Sequence, residues 1–128
     1  MIKLLIGSLW RLIPARLRGP YFARCYVAYL ERSLTRETQF AAFQHNDEPL
    51  WANVRRTVAA YLYNEWKTGS LVGTKPEQAY FVRCDRTTMT QNDLDNGRLI
   101  CLVGVAPLRP AEFVIFRIGQ WIGHKPDP

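Results

Sequence analysis

The sequence predicts an α+β domain in which two main helices pack on one face of a small mixed β-sheet of about four strands. The chain of 128 residues is long enough to bury one hydrophobic core and too short for two. Hydrophobic residues make up 48% and charged residues 22%, which is typical of a soluble globular protein. Segments with helical spacing of apolar residues occur beside short segments rich in aromatic and β-branched residues.

Two segments have the pattern of amphipathic helices. The first spans residues 21–34 and follows the turn signal Gly19-Pro20. The second spans residues 50–67, and its apolar side chains recur every three or four positions, which aligns them on one face. Ahead of it, Asn46 or Asp47 is expected to cap the helix start. Gly69 is expected to end the helix.

Four further segments have the pattern of strands: residues 38–43, 79–84, 98–105 and 112–118. The first two, with the long helix between them, could form a right-handed βαβ unit. The polar stretch from residue 85 to 96 is expected to contain one helical turn at 90–95. The last two strands are separated by a connection with a proline at each end, Pro107 and Pro110, which interrupts ladder pairing.

The first 18 residues differ from the rest, so the chain is divided into a leader, 1–18, and a domain, 19–128. Arg11 and Pro14 interrupt the apolar run of the leader too early for a signal peptide, and the run is too short to span a bilayer. Leu5, Leu9, Leu12 and Ile13 are spaced for one face of an interfacial amphipathic helix. A disordered or partner-dependent leader agrees equally well with this composition.

The net charge of +6 favours contact with an acidic surface but does not identify that surface. The basic residues are spread along the chain without a run of five or six, which argues against a dedicated nucleic-acid tail. A peripheral membrane or nucleic-acid binding basic domain is therefore kept as the alternative function.

The sequence predicts no catalytic, cofactor or metal site. His45 lies at a helix start and His124 in a Gly/Pro-rich tail, so nothing fixes either ring as a base. Asp85, Asp93 and Asp95 lack the spacing of a calcium loop. The three cysteines contain no C-x-x-C pair, and they are expected to be reduced and buried.

The last predicted strand is apolar on both of its faces. Its central residues are listed here in order: Phe113, Val114, Ile115, Phe116, Arg117 and Ile118. A strand of this kind must be covered on both sides, so it is either a central core strand or a strand that pairs with another chain. The pattern alone does not choose between the two.

Residues 43–121 resemble the C-terminal domain of contractile phage tail sheath proteins. The resemblance is carried by blocks in the family's order: Asn46-Asp47-Glu48-Pro49-Leu50-Trp51, Phe81-Val82-Arg83-Cys84-Asp85, Thr87-Thr88-Met89-Thr90-Gln91-Asn92-Asp93, Asp95-Asn96-Gly97-Arg98, Val103-Gly104-Val105-Ala106-Pro107 and Arg109-Pro110-Ala111-Glu112-Phe113-Val114-Ile115-Phe116. Counting looser matches at the first helix and at residue 39, it covers about four fifths of the chain.

The resemblance implies a structural sheath subunit that is not an enzyme. Such subunits are assembled in the bacterial cytoplasm and stack around an inner tail tube, in a phage or a tail-like injection system. Neighbouring sheath subunits join by strands added to each other's sheets, so residues 113–118 become the candidate linking strand. The resemblance also places this domain against the tube, which makes Arg55, Arg56 and Arg98 candidates for contact with an acidic tube surface.

Residues 1–18 do not resemble the family, and full sheath proteins are considerably longer. The chain is therefore expected to be a fragment, a truncated prophage remnant or a short form. Without an N-terminal arm, reciprocal linking between subunits would be incomplete.

Overall fold

The computed structural model describes residues 19–108 and 113–122. The predicted leader, His124 and most of the connection between the last two strands lie outside them. The helices are α1 (Pro20–Glu37), α2 (Glu48–Lys67), α3 (Pro76–Ala79) and α4 (Gln91–Asp95), with a 3₁₀ helix at Gln39–Phe43. The strands are β1 (Tyr80–Arg83), β2 (Arg98–Val105) and β3 (Val114–Trp121).

Helix α1 begins at Pro20, whose fixed φ suits the first turn, and it continues one turn beyond the predicted end at residue 34. Its core-facing side chains Tyr26, Leu30 and Leu34 are completely buried. The Tyr26 hydroxyl donates a 2.7 Å hydrogen bond to Oε1 of Glu65 on α2, which ties the two long helices together.

The strand predicted at residues 38–43 is wrong. Thr38 instead ends α1 with its hydroxyl 2.8 Å from the carbonyl of Leu34, and the chain continues as the 3₁₀ helix. A local hydrogen bond of this kind satisfies the backbone without a partner strand. Ala41 is fully buried and reaches the core from this helical turn, whereas Phe40 remains 39% exposed.

Helix α2 is confirmed, but its start is not built as predicted. Asp47 occupies the N-cap position without a side-chain capping bond. Asn46 accepts a 2.7 Å bond from Nε1 of Trp51 and donates a 3.1 Å bond to the carbonyl of Arg98, so its amide joins the helix start to β2. The predicted stop is confirmed: Gly69 has a φ of +94°, in the left-handed region that glycine adopts without strain.

The α+β class is confirmed, with a sheet simpler than the one predicted. The described residues form three strands in the order β1-β2-β3, and both neighbouring pairs are antiparallel. The strand count falls from four because residues 38–43 are helical. For the same reason there is no βαβ unit among the described elements, and no parallel pair.

One face of the sheet packs against the helices. It carries alternate residues of β2, including the fully buried Leu99, Cys101 and Val103, with Ile118 of β3 opposite Cys101. The side-chain amide of Gln120 donates bonds of 2.7 Å to the carbonyl of Thr35 and 3.0 Å to the hydroxyl of Thr38. The core therefore lies between this helix-side face and α1 and α2.

The short helix α4 confirms the helical turn predicted at residues 90–95. Thr90 and Asp93 form a capping box: the Thr90 hydroxyl accepts from the Asp93 backbone at 3.1 Å, and the Asp93 carboxylate accepts from the Thr90 backbone at 2.9 Å. The backbone and side-chain bonds from Thr90 lower the pKa of Asp93, which therefore remains a carboxylate next to β2.

Candidate assembly interface

Strand β3 lies at one edge of the sheet that the described residues form. Its burial alternates as expected for a half-covered strand: Ile118 is 1% exposed and faces the helices, whereas Ile115 is 57% exposed on the opposite side. Val114, at the start of the strand, is 43% exposed, and Phe113 just before it is 41% exposed. The strand that looked apolar on both faces is thus covered on one face only by residues 19–108 and 113–122.

The two ends of β3 are held differently. Near its C-terminal end, Gln120 is bonded to α1 and the 3₁₀ helix approaches the strand. At the N-terminal end, Val114 pairs with Val105 of β2 while more than a third of its surface stays accessible. An edge strand with exposed apolar side chains can template the addition of a strand from another chain. The accessible apolar part of the predicted linking strand lies at Val114 and Ile115.

The three arginines predicted to face a tube have different surroundings. Arg55 donates to the carbonyl of Cys84 and, at 2.9 Å, to Oε1 of Glu48. The hydrogen bond to Glu48 is the main cause of the raised pKa of Arg55. Arg98 is paired with Asp93 at 2.9 Å and lies 5.9 Å from the centre of the Trp121 ring. Arg56 is exposed and has no ion pair within the described residues.

Residues considered for catalysis or metal binding do not converge. His45 is exposed at the helix start. The Asp85 carboxylate accepts bonds from the backbone and hydroxyl of Thr87, and these bonds lower its pKa. Asp85 therefore stabilises a surface turn. Within residues 19–108 and 113–122, no cluster of three histidine, cysteine or acidic side chains is placed to hold a metal ion.

The cysteines are free, and two of the three match the predicted burial. Cys84 and Cys101 are buried, whereas Cys25 is only partly buried. None of the helices in the described part of the chain is long and apolar enough to cross a membrane.

The family is decided by comparison with known proteins. The sequence model of the phage tail sheath C-terminal domain matches residues 23–120. The chain belongs to this tail sheath family. No curated protein matches the chain.

Solved structures similar to this sheath domain come from contractile injection systems. One is the baseplate of the anti-feeding prophage: 39% sequence identity and a TM-score of 0.63 over 76% of this chain and 27% of that chain. Another is the sheath complex of the PVC extracellular contractile injection system in its contracted state: 43% identity and a TM-score of 0.61 over 76% of this chain and 28% of that chain. The sheath domain therefore spans little more than a quarter of these relatives.

Sequence reasoning missed one feature of the sheath domain. Arg83 of β1 and Arg117 of β3 are both in register with Leu102 of β2, so the two arginines lie on either side of one leucine on the same face. The alternation Phe81, Arg83 and Ile115, Arg117 indicated this face, but the register that aligns the two pairs is visible only in the folded sheet.

Proposed function

We propose that this sheath domain is a structural subunit, or the remnant of one, in a contractile tail sheath. It acts by self-assembly and carries out no reaction. Its partners are neighbouring sheath subunits and an inner tail tube, and it is assembled in the bacterial cytoplasm into the tail of a phage or a tail-like particle. The family match and the two contractile-system structures support this proposal.

The observation that carries the proposal is the half-covered edge strand β3. Ile118 anchors it in the core, while Val114 and Ile115 expose 43% and 57% of their surfaces at the sheet edge. Addition of a strand from a neighbouring subunit would bury these side chains and pair the edge backbone groups. Of the three predicted arginines, Arg56 is the best candidate for contact with the tube, because Arg55 and Arg98 already form ion pairs with Glu48 and Asp93.

Light scattering of the full chain over a range of concentrations tests strand addition. The variant Val114→Lys places a charge on the accessible end of β3, which blocks edge pairing without disturbing the core. We expect the natural chain to associate as its concentration rises and Val114→Lys to remain monomeric, with an unchanged circular dichroism spectrum. Tyr63→Lys is the matched control, because Tyr63 is 45% exposed on α2 and lies near Tyr80 of β1, at the edge of the sheet opposite β3, so this variant should associate normally.

Two results would contradict the proposal. A natural chain that stays monomeric at every concentration would mean that β3 only closes its own sheet. Association that persists unchanged in Val114→Lys would mean that subunits meet through a surface other than the edge.

A further inference from the structure

The face of the sheet opposite the helices, called the outer face below, carries alternate residues of all three strands. They form rows across the sheet. The row Phe81, Gly104, Ile115 lies beside the row Arg83, Leu102, Arg117, and Ile100 and Gly119 form the next row. Leu102, at the centre of the middle row, is only partly buried.

The charged strand residues on the outer face are all basic. The strands contain three arginines and no acidic residue, and all three arginines point to this face. Arg98 is neutralised by Asp93. Arg83 and Arg117 are exposed, and neither forms an ion pair within 4.0 Å among the described residues; the charge of Arg83 helps to lower the pKa of the nearby Asp85.

An aromatic platform adjoins the arginine row. A Cβ atom on Gly104 would lie 2.1 Å from the Phe81 ring, so the absence of a side chain lets that ring lie against the sheet. Phe113 then packs edge-on against Phe81, with ring centres 5.1 Å apart and planes at 84°. The result is a fixed apolar surface beside two cations, the combination that is enriched at protein interfaces.

The spacing of the arginines limits what can cover Leu102. Adjacent strands lie about 4.8 Å apart, which puts the backbones of Arg83 and Arg117 about 10 Å apart. A partner that covers Leu102 removes water from both guanidinium groups, and this is unfavourable unless the partner supplies negative charge. Carboxylates suit the need because they accept two parallel hydrogen bonds from a guanidinium.

Charge also excludes two occupants from this chain. A second copy meeting the outer face with its own outer face would bring arginines against arginines. The first 18 residues contain four cations and no acidic residue, so they would add to the repulsion. Nucleic acid is disfavoured because two unpaired arginines are few against the several phosphate contacts of a binding site.

We propose that the outer face is a docking surface for an acidic protein surface, one that places carboxylates on either side of an apolar side chain. The contact would be made by side chains across the strands, so it goes beyond strand addition at the β3 edge. Carboxylates would pair with Arg83 and Arg117, and the apolar group would lie on Leu102 beside the Phe81 platform.

The test is a titration of the isotope-labelled full chain with a synthetic peptide, Glu-Ser-Leu-Ser-Glu, followed by NMR at the Arg83 and Arg117 Nε–H signals. We expect saturable shifts at these signals and at the Leu102 methyl groups. The same peptide with glutamine in place of glutamate should bind about tenfold more weakly, because it cannot form ion pairs. The double variant Arg83→Gln with Arg117→Gln should bind the Glu peptide more weakly than the natural chain does, by a similar factor.

The matched control is Arg32→Gln with Arg36→Gln, two exposed arginines of α1, which should bind the Glu peptide as the natural chain does. The proposal fails if no saturable shift occurs at millimolar peptide or if the Gln peptide binds equally well. It also fails if the control pair loses as much binding as the Arg83 and Arg117 pair. If a thymidine oligonucleotide or phosphatidylglycerol vesicles shift the same signals and bind more tightly than the Glu peptide, the face binds phosphate groups instead.

The result of the peptide titration is independent of the result of the strand-addition test. Val114→Lys should abolish association while it leaves peptide binding to the outer face intact, because Val114 lies on the helix-side face. Failure of one proposal therefore leaves the other standing.

Discussion

Replacing Gly104 with alanine should destabilise the domain by displacing an aromatic ring. The new Cβ would lie 2.1, 2.6 and 2.7 Å from three carbon atoms of Phe81, so the ring must move by more than an ångström to reach normal contact. The ring would then lose its packing on the sheet and its edge-on contact with Phe113, which is worth about 0.5–1.5 kcal/mol. With the strain of overpacking, we expect a total loss of about 1–3 kcal/mol in the free energy of unfolding.

Urea unfolding followed by circular dichroism measures this loss. Gly119→Ala is the control on the same face, since its Cβ would approach no atom closer than the Leu99 carbonyl oxygen at 4.0 Å and should change stability by at most about 0.5 kcal/mol. In the Phe81→Ala background, Gly104→Ala should cost much less, because the clash is gone. Equal effects of the two glycine substitutions, or no coupling with Phe81, would refute the reasoning.

Three further predictions concern two sets of hydrogen bonds and one partly buried tyrosine. Gln120→Ala should lower stability by about 1–2 kcal/mol in urea unfolding, because β3 loses both hydrogen bonds to α1. Thr90→Ala removes the side-chain cap of α4 and should cost about 1 kcal/mol, whereas Thr90→Ser should keep most of it. Burial raises the pKa of Tyr61 to about 12, above its value of about 10 in the unfolded chain. The contribution of the neutral Tyr61 side chain to the free energy of unfolding is therefore complete below about pH 10 and is lost as the pH rises towards about 12. The urea midpoint should fall over that interval, and less steeply in Tyr61→Phe.

The sequence contained enough information for the regular elements that have strong periodicity. The bounds 98–105 for β2 agree with the structure residue for residue, and α2 differs by two residues at its start. The strand prediction at residues 38–43 failed because local hydrogen bonds replace strand pairing there. There the Thr38 hydroxyl satisfies the helix end, and Ala41 reaches the core from a 3₁₀ turn. The composition of a short aromatic segment does not determine whether it forms a strand or a helical turn.

The candidate interface was predictable only in part. The apolar strand at residues 113–118 could be recognised from its composition, but its edge position depends on strand order, which composition does not encode. Among the three predicted arginines, Arg55 and Arg98 form ion pairs within the chain, whereas Arg83, which was not predicted, is exposed beside Leu102. Arg55 pairs with Glu48 two turns earlier on α2, and Arg98 of β2 pairs with Asp93 of α4. The sequence shows that these charges are near one another but not which of them form ion pairs.

The two buried cysteines make the natural chain its own reporter of local opening. Cys84 and Cys101 are 0% exposed, and their thiols contact each other at the junction of β1 and β2. That contact and burial raise the pKa of Cys101, so a thiol reagent reaches a reactive thiolate there only when the strands separate. The partly buried Cys25 on α1 supplies a faster reference reaction in the same molecule. The ratio of the two modification rates would therefore measure how often the sheet opens, without any introduced label.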